Sequence, residues 1–377
     1  MRQMNRVAVC LGVGGLLVWS STGLGVVQAI DAVVESSVVQ RLAGGVVNTD
    51  TAFESLDETT PNLPLIAESR LERLDLDNNV FSLGSAVAVF SDPRLSTSDD
   101  PDELGADIAV FSLDPVDTYD ADTHLTEVRQ VTFTADEIGA ADGTPLEVTS
   151  FFFLEGYMLV WGDLSTAPSA SVAELTIRVQ QTRPGDAAPV TVLEANLSLS
   201  HDSSGNPVVT AGGALTVDNV VLADTSDVIV LGQAGFVSIP QIGIPYIYQA
   251  AVGEAFTLTA EVDCHAANQP FTGAGVTLGK SAEDFLDIIA GLIGEPVGTN
   301  ALQINGVTTG PIVLAAKPLP MGETQVKVLD GTGFSLLNLS RPFCGLLGLE
   351  SALFLAAVPL MMLPAFRRKW PPLRPRD

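Results

Sequence analysis

Three segments of this chain alternate strictly between apolar and polar residues, and no other feature limits its fold as strongly. The segments are Val172–Thr182, Thr191–Ser200 and Ala255–His265. In the third, apolar residues from Phe256 to Cys264 occupy every second position, and mostly polar residues lie between them. Because successive side chains of a β-strand point to opposite faces, this pattern predicts strands with one buried and one hydrated face. That combination is typical of antiparallel sheets.

Other segments are apolar without alternation, and we interpret them as further strands, the last two of them buried. They are Ser85–Phe90, Ala106–Leu113, Phe151–Leu154 and Tyr157–Trp161. Turn-forming residues such as Arg183–Asp186 and Asp202–Pro207 separate the strands and fit hairpin connections.

One helix is predicted among these strands, from a capping Ser281 to Gly294, with an apolar stripe that includes Phe285 and Ile288. Many short strands with Gly and Pro turns and a single short helix indicate a mainly β protein. We predict an antiparallel β-sandwich of jelly-roll-like type.

The N-terminal residues 1–29 have the pattern of a secretory signal. Arg2 and Arg6 precede an apolar segment, Val7–Val18, and small residues stand at Val27 and Ala29. We therefore predict export and cleavage by signal peptidase after Ala29. An uncleaved N-terminal anchor is the alternative.

The C-terminal residues 341–377 predict a membrane anchor. From Leu346 to Phe366 the only charged residue is Glu350, and Arg367, Arg368 and Lys369 follow directly. An apolar stretch of this length can form a transmembrane helix, and the basic cluster favours a cytoplasmic end. A buried core helix followed by a basic tail is the alternative.

This tail resembles the C-terminal sorting signals of bacterial surface proteins, the exosortase-type or PEP-CTERM-like class, which combine a short motif, a hydrophobic helix and an Arg-rich end. Phe343, Cys344 and Gly345 stand where the best-known members carry Pro-Glu-Pro. The resemblance implies surface display and recognition by a sorting peptidase, whereas a permanent anchor is the alternative. Cys344 could be processed, acylated or paired with Cys264.

The chain thus divides into four predicted parts: a signal at 1–29, a β segment and loop at 30–80, a β-sandwich ectodomain at 81–340 and the anchor at 341–377. With 45 acidic against 18 basic residues, the formal net charge is −27. Such a surface repels nucleic acid, because binding of phosphate depends on Lys and Arg. We expect the ectodomain outside the cell, at its surface or released from it.

No G-x-S-x-G, H-E-x-x-H, P-loop or C-x-x-C motif occurs in the sequence. The three histidines, His124, His201 and His265, each lie in a predicted loop or on a hydrated strand face, so we expect them exposed. We predict a non-catalytic surface or extracellular-matrix protein without a required cofactor. The alternative is a carbohydrate-binding module or carbohydrate-active enzyme that binds surface polysaccharide, with Tyr246 and Tyr248 as candidate stacking residues. Cross-strand packing explains these two tyrosines equally well.

An acidic loop is a candidate calcium site. Asp117, Asp120 and Asp122 share the short stretch 114–123 between two predicted strands, and carboxylate oxygens are the ligands that Ca²⁺ prefers. Their spacing does not match an EF-hand. A solvated acidic loop explains the same residues without a ligand.

Overall fold

The computed structural model describes residues 26–42, 45–56, 65–75, 80–91, 103–162, 171–223, 233–279, 303–304, 307–308, 324–329 and 337–339. In chain order, the strands and the helix are β1 (Val26–Arg41), β2 (Val47–Ser55), β3 (Leu65–Asp75), β4 (Val80–Ser91), β5 (Glu103–Ser112), β6 (Thr118–Thr132), α1 (Ala135–Ile138), β7 (Pro145–Gly162), β8 (Val172–Thr182), β9 (Val190–His201), β10 (Pro207–Gly213), β11 (Val221–Ala223), β12 (Gln233–Ala251), β13 (Ala255–Ala267), β14 (Thr272–Leu278), β15 (Gln303–Ile304), β16 (Val307–Thr308), β17 (Thr324–Val328) and β18 (Leu337–Leu339).

All of these strands except β15 and β16, which pair only with each other, form two large antiparallel sheets. Sheet A has the order β10-β9-β8-β13-β6-β1-β2, and sheet B has the order β11-β12-β7-β14-β5-β4-β3, with β17 and β18 attached at β7. The chain passes from β2 to β3 at one edge of the two sheets and from β10 to β11 at the other. Strands from both sides of residue 80 join the same sheets, so the predicted segment 30–80 is an integral part of the sandwich.

The three alternating segments predicted as one-face strands are confirmed as β8, β9 and β13, which are neighbours in sheet A. Their apolar residues, such as Leu175, Leu197 and Val262, are buried between the sheets, and most of their polar residues face outward. The continuous apolar segments lie in β4, β5 and β7 of sheet B, and the residues of β7 from Phe152 to Trp161 are nearly all buried. The mainly β, antiparallel fold is therefore as the sequence predicts.

The single-turn α1 is the α-helix found among the described residues, and Val217–Asn219 form one turn of 3-10 helix. The Glu137 carboxylate accepts a hydrogen bond of 3.0 Å from the backbone N–H of Thr134, and Gly139 ends the turn with φ 70°. The predicted helix at 281–294 and the predicted C-terminal helix lie outside the described residues. No helix within the described ranges is both long enough and apolar enough to span a membrane.

The core between the sheets contains a polar network at the β2–β3 edge. Gly84 of β4 makes room for the ring of Tyr119, because a Cβ at this glycine would lie 2.6 Å from Tyr119 Cδ1. The Tyr119 hydroxyl accepts a hydrogen bond of 2.6 Å from Gln40 Nε2 and lies 2.8 Å from Ser82 Oγ. Burial raises the pKa of Tyr119 to about 12, so the phenol stays protonated and serves as a structural link between the sheets.

Candidate functional site

The outer face of sheet A brings together side chains that are far apart in the sequence. The pairing register places Phe53, Glu35, His124 and Asp263 side by side in one row across β2, β1, β6 and β13. The next row contains Thr51, Ser37, Asp122, His265 and Glu174, from β2 to β8. On both β6 and β13 a histidine and an aspartate lie two residues apart, and each histidine is directly opposite the aspartate of the other strand. We call His124, Asp263, Asp122 and His265 the His–Asp patch.

Each histidine of the His–Asp patch is hydrogen-bonded to the aspartate opposite. His124 Nδ1 lies 2.6 Å from Asp263 Oδ1, and His265 Nδ1 lies 2.8 Å from Asp122 Oδ1, so in both cases the ring N–H donates to a carboxylate. Thr126 Oγ1 lies 2.9 Å from His124 Nε2. Hydrogen bonding to Asp263 raises the pKa of His124, and hydrogen bonding to Asp122 raises the pKa of His265. The patch therefore gains positive charge at a higher pH than free imidazole does.

A depression of about 320 Å³ adjoins the patch between β2, β1 and β6. It is lined by one aromatic ring, one histidine, two carboxylates and two outward hydroxyl groups, namely Phe53, His124, Glu35, Asp122, Ser37 and Thr51. Ser36 and Ala52 of the same strands also border it, but the Ser36 hydroxyl points into the core, 2.9 Å from Ser69 Oγ. The Phe53 side chain is 60% exposed at this depression.

The predicted calcium ligands are not brought together. Asp117 points into the sandwich, where it is fully buried and accepts hydrogen bonds of 3.0 Å from Arg73 NH1 and from Ser82 Oγ. Asp120 and Asp122 point outward, since strand side chains alternate, and they are paired with Arg41 and His265. Among the described residues, no group of three or more His, Cys, Asp or Glu side chains is arranged to hold a metal ion.

Of the predicted processing and anchor residues, Ala29 alone is among the residues that the structure describes. Ala29, the predicted cleavage position, lies in β1, where the pairing with β6 shifts register between Ala29 and Asp31. The remaining ones, Cys344, Gly345, Arg367, Arg368 and Lys369, lie outside the described residues. Cys264 is a free, buried thiol on the inward face of β13, and burial raises its pKa to about 12.

Two expectations about surface residues are wrong. Tyr246 and Tyr248 are 3% and 5% exposed and stack on each other at 5.9 Å, so they belong to the core and cannot bind a sugar there. His201 is buried at 7% exposure instead of exposed. The reason is the period of β9, because His201 continues the inward series that ends in Leu197 and Leu199.

Sequence reasoning did not find Glu35, Phe53 and Asp263 as neighbours of His124. Each belongs to a different strand, and only the register of the sheet brings them together. The alternation of polar residues in β13 indicated that Asp263 and His265 share a hydrated face, but no local pattern identified the strands beside them.

Comparison of the chain with protein-family models, with curated proteins and with solved structures finds no match.

Proposed function

We propose that this chain is a non-catalytic surface or extracellular-matrix protein, exported by its N-terminal signal and displayed through its C-terminal anchor. The sandwich is the displayed part, and the outer face of sheet A is its contact surface. We also propose a jelly-roll-like class for this sandwich and a transmembrane helix at residues 346–366.

The observation that carries the proposal is the hydration of the outer face of sheet A. Along β6, β8 and β13, polar side chains at every second position are exposed or half-exposed across neighbouring strands. Charged side chains of both signs occur there, but carboxylates such as Glu35, Glu174 and Asp263 outnumber Arg41 and Arg178. A broad hydrated face of this kind, on a chain with a net charge of −27, suits contact with hydrated or cationic material outside a cell.

Deletion of Leu346–Asp377 tests the display. We expect the shortened chain in the culture medium, because the apolar stretch and the basic cluster that hold the protein in the membrane are gone. Cell fractionation and labelling of intact cells with a membrane-impermeant reagent measure this, and a chain that lacks only residues 370–377 is the control. Retention of the shortened chain in salt-washed membranes would contradict the anchor.

A carbohydrate-binding role is the second candidate, and the depression beside Phe53 is the observation that favours it. Exposed aromatic rings next to carboxylates and hydroxyl groups provide both the apolar surface and the hydrogen-bond partners that a sugar ring needs. Tyr246 and Tyr248 have no part in this candidate site, since they are buried.

A further inference from the structure

We propose that the depression between β2, β1 and β6 is a binding subsite for one amino-sugar unit that carries a free ammonium group. This inference rests on the proposed role of the outer face of sheet A as a contact surface. The subsite consists of Phe53, Glu35, Asp122, Ser37 and Thr51, whose side chains fit this class of ligand.

Phe53 supplies an apolar surface that the fold itself does not use. Its side chain is 60% exposed, whereas Phe111, Phe133 and Phe256 are each at most 2% exposed. The ring stands on β2 directly beside Glu35, at the margin of the depression. An exposed ring of this kind can cover the apolar face of a sugar, and it attracts a cation placed over it.

Two carboxylates make the depression selective for a cation. Glu35 belongs to the first row and Asp122 to the second, and both line the depression. Asp122 Oδ1 lies 2.8 Å from His265 Nδ1, whereas no hydrogen bond ties Glu35 to another described side chain. A carboxylate binds an ammonium group through charge-assisted hydrogen bonds, which are stronger than bonds between neutral groups. A neutral sugar would form no ion pair with Glu35, and an anionic sugar would be repelled by it.

The hydroxyl groups of Ser37 and Thr51 distinguish an amino sugar from a simple amine. Each hydroxyl can both donate and accept a hydrogen bond, and a sugar carries several hydroxyl groups that need such partners. An alkylamine or a lysine side chain presents one ammonium group on a carbon chain. It would offer no hydrogen-bond partner to the hydroxyl groups of Ser37 and Thr51, which would stay hydrated. The volume of about 320 Å³ is at the lower end of ligand pockets, which limits the subsite to a single unit.

Calorimetric titration of the purified full-length chain with a glucosamine hexamer tests the inference. We expect binding that the fully N-acetylated hexamer and a glucose hexamer do not show, because both lack the ammonium group. Phe53→Ala and Glu35→Gln should each weaken the binding of the glucosamine hexamer by about tenfold or more. Both positions are on the outer face, so the folded sandwich should persist in each variant.

Matched variants away from the depression serve as controls. Val47→Ala removes another exposed apolar side chain of β2, and Glu174→Gln neutralises a carboxylate of the same outer face beside His265. Both should bind the hexamer as the unchanged chain does. Equal binding of the acetylated hexamer, unchanged binding by Phe53→Ala, or the same Phe53-dependent binding of a hexalysine peptide would each overturn the inference. Since purified chain is used, these outcomes are independent of whether deletion of the tail abolishes display.

Discussion

The two sheets of this sandwich share one core, but their outer faces have opposite character. On sheet A, outward-facing residues are hydrated, and the side chains of Asp122 and Asp263 are 53% and 50% exposed. On sheet B, the residues of β5 and β7 that do not face the shared core are buried as well, among them Phe111 at 0%, Tyr157 at 1% and Trp161 at 4% exposure. Sheet A therefore has one buried face, whereas β5, β14 and most of residues 152–162 of β7 in sheet B are buried on both faces.

This difference has consequences for where interactions with other molecules can occur. A strand that is buried on both faces uses all of its side chains for stability, whereas a strand with one hydrated face has half of its positions free for contacts. The His–Asp patch and the depression beside Phe53 lie on the hydrated face of sheet A. The outer layer of sheet B should respond to mutation like a second core, and the outer face of sheet A should respond weakly.

Replacement of Trp161 by alanine should show the largest effect. Its ring lies 6.5 Å from that of Phe111 and directly against Gly273, where a Cβ would overlap the indole. We expect the free energy of unfolding to fall by about 3–5 kcal/mol, because a large buried ring is lost and a cavity remains. Urea unfolding followed by far-UV circular dichroism measures this change.

The matched control is Phe53→Ala on the outer face of sheet A, where the ring is 60% exposed. We expect its free energy of unfolding to change by no more than about 0.5 kcal/mol. Equal losses for Trp161→Ala and Phe53→Ala would remove the distinction between the two outer faces.

Two aspartates give a second, smaller comparison. Asp107 on the outer side of sheet B is 1% exposed and accepts a hydrogen bond of 3.0 Å from Thr277 Oγ1. Asp107→Ala leaves the Thr277 hydroxyl buried without this acceptor, which should lower the free energy of unfolding by about 2 kcal/mol. Asp263→Ala on sheet A breaks only an exposed contact with His124 and should cost less than about 1 kcal/mol. A larger loss for Asp263→Ala, measured by the same urea unfolding, would contradict the comparison.

The local sequence patterns predicted much of the fold. Alternation in β8, β9 and β13 identified strands with one hydrated face, and all three lie in sheet A. Continuous apolar residues in β4, β5 and β7 mark strands of sheet B that are buried on both faces over most of their length. The spacing of apolar residues along the sequence therefore already distinguished strands with one buried face from strands with two.

The strand order and the candidate site could not be predicted in the same way. His124 and Asp263 are 139 positions apart, and their contact depends on the pairing of β6 with β13, which no local pattern specifies. Spacing in the sequence was also misleading for Asp117 and Asp120, because three positions along an extended chain place them on opposite faces. A metal site can be predicted from spacing only when the face of the strand on which each ligand lies is also known.

The His–Asp patch provides the smallest of these effects, a dependence of stability on pH that arises from sheet A. Hydrogen bonds to Asp263 and Asp122 raise the pKa of His124 and of His265 in the folded state. Acidic groups from the neighbouring strands also face the two rings, and they are Glu35, Asp120, Glu174 and Glu261. A raised pKa in the folded state means that protonation favours folding. The contribution is fully present below the ordinary imidazole pKa of about 6.5 and is lost as pH rises through the raised values.

The double variant His124→Gln with His265→Gln tests this dependence. The side chains of His124 and His265 are 40% and 34% exposed, so solvent screens both pairs and the expected contribution is less than about 1 kcal/mol. The unchanged chain should exceed the variant in Tm by about 2 °C or less at pH 5.5, and the difference should diminish above pH 7. Calorimetry at both pH values measures it, and 0.5 M NaCl should reduce the difference through screening. A difference that grows as pH rises would show that the neutral rings, and not the imidazolium–carboxylate pairs, stabilise the outer face of sheet A.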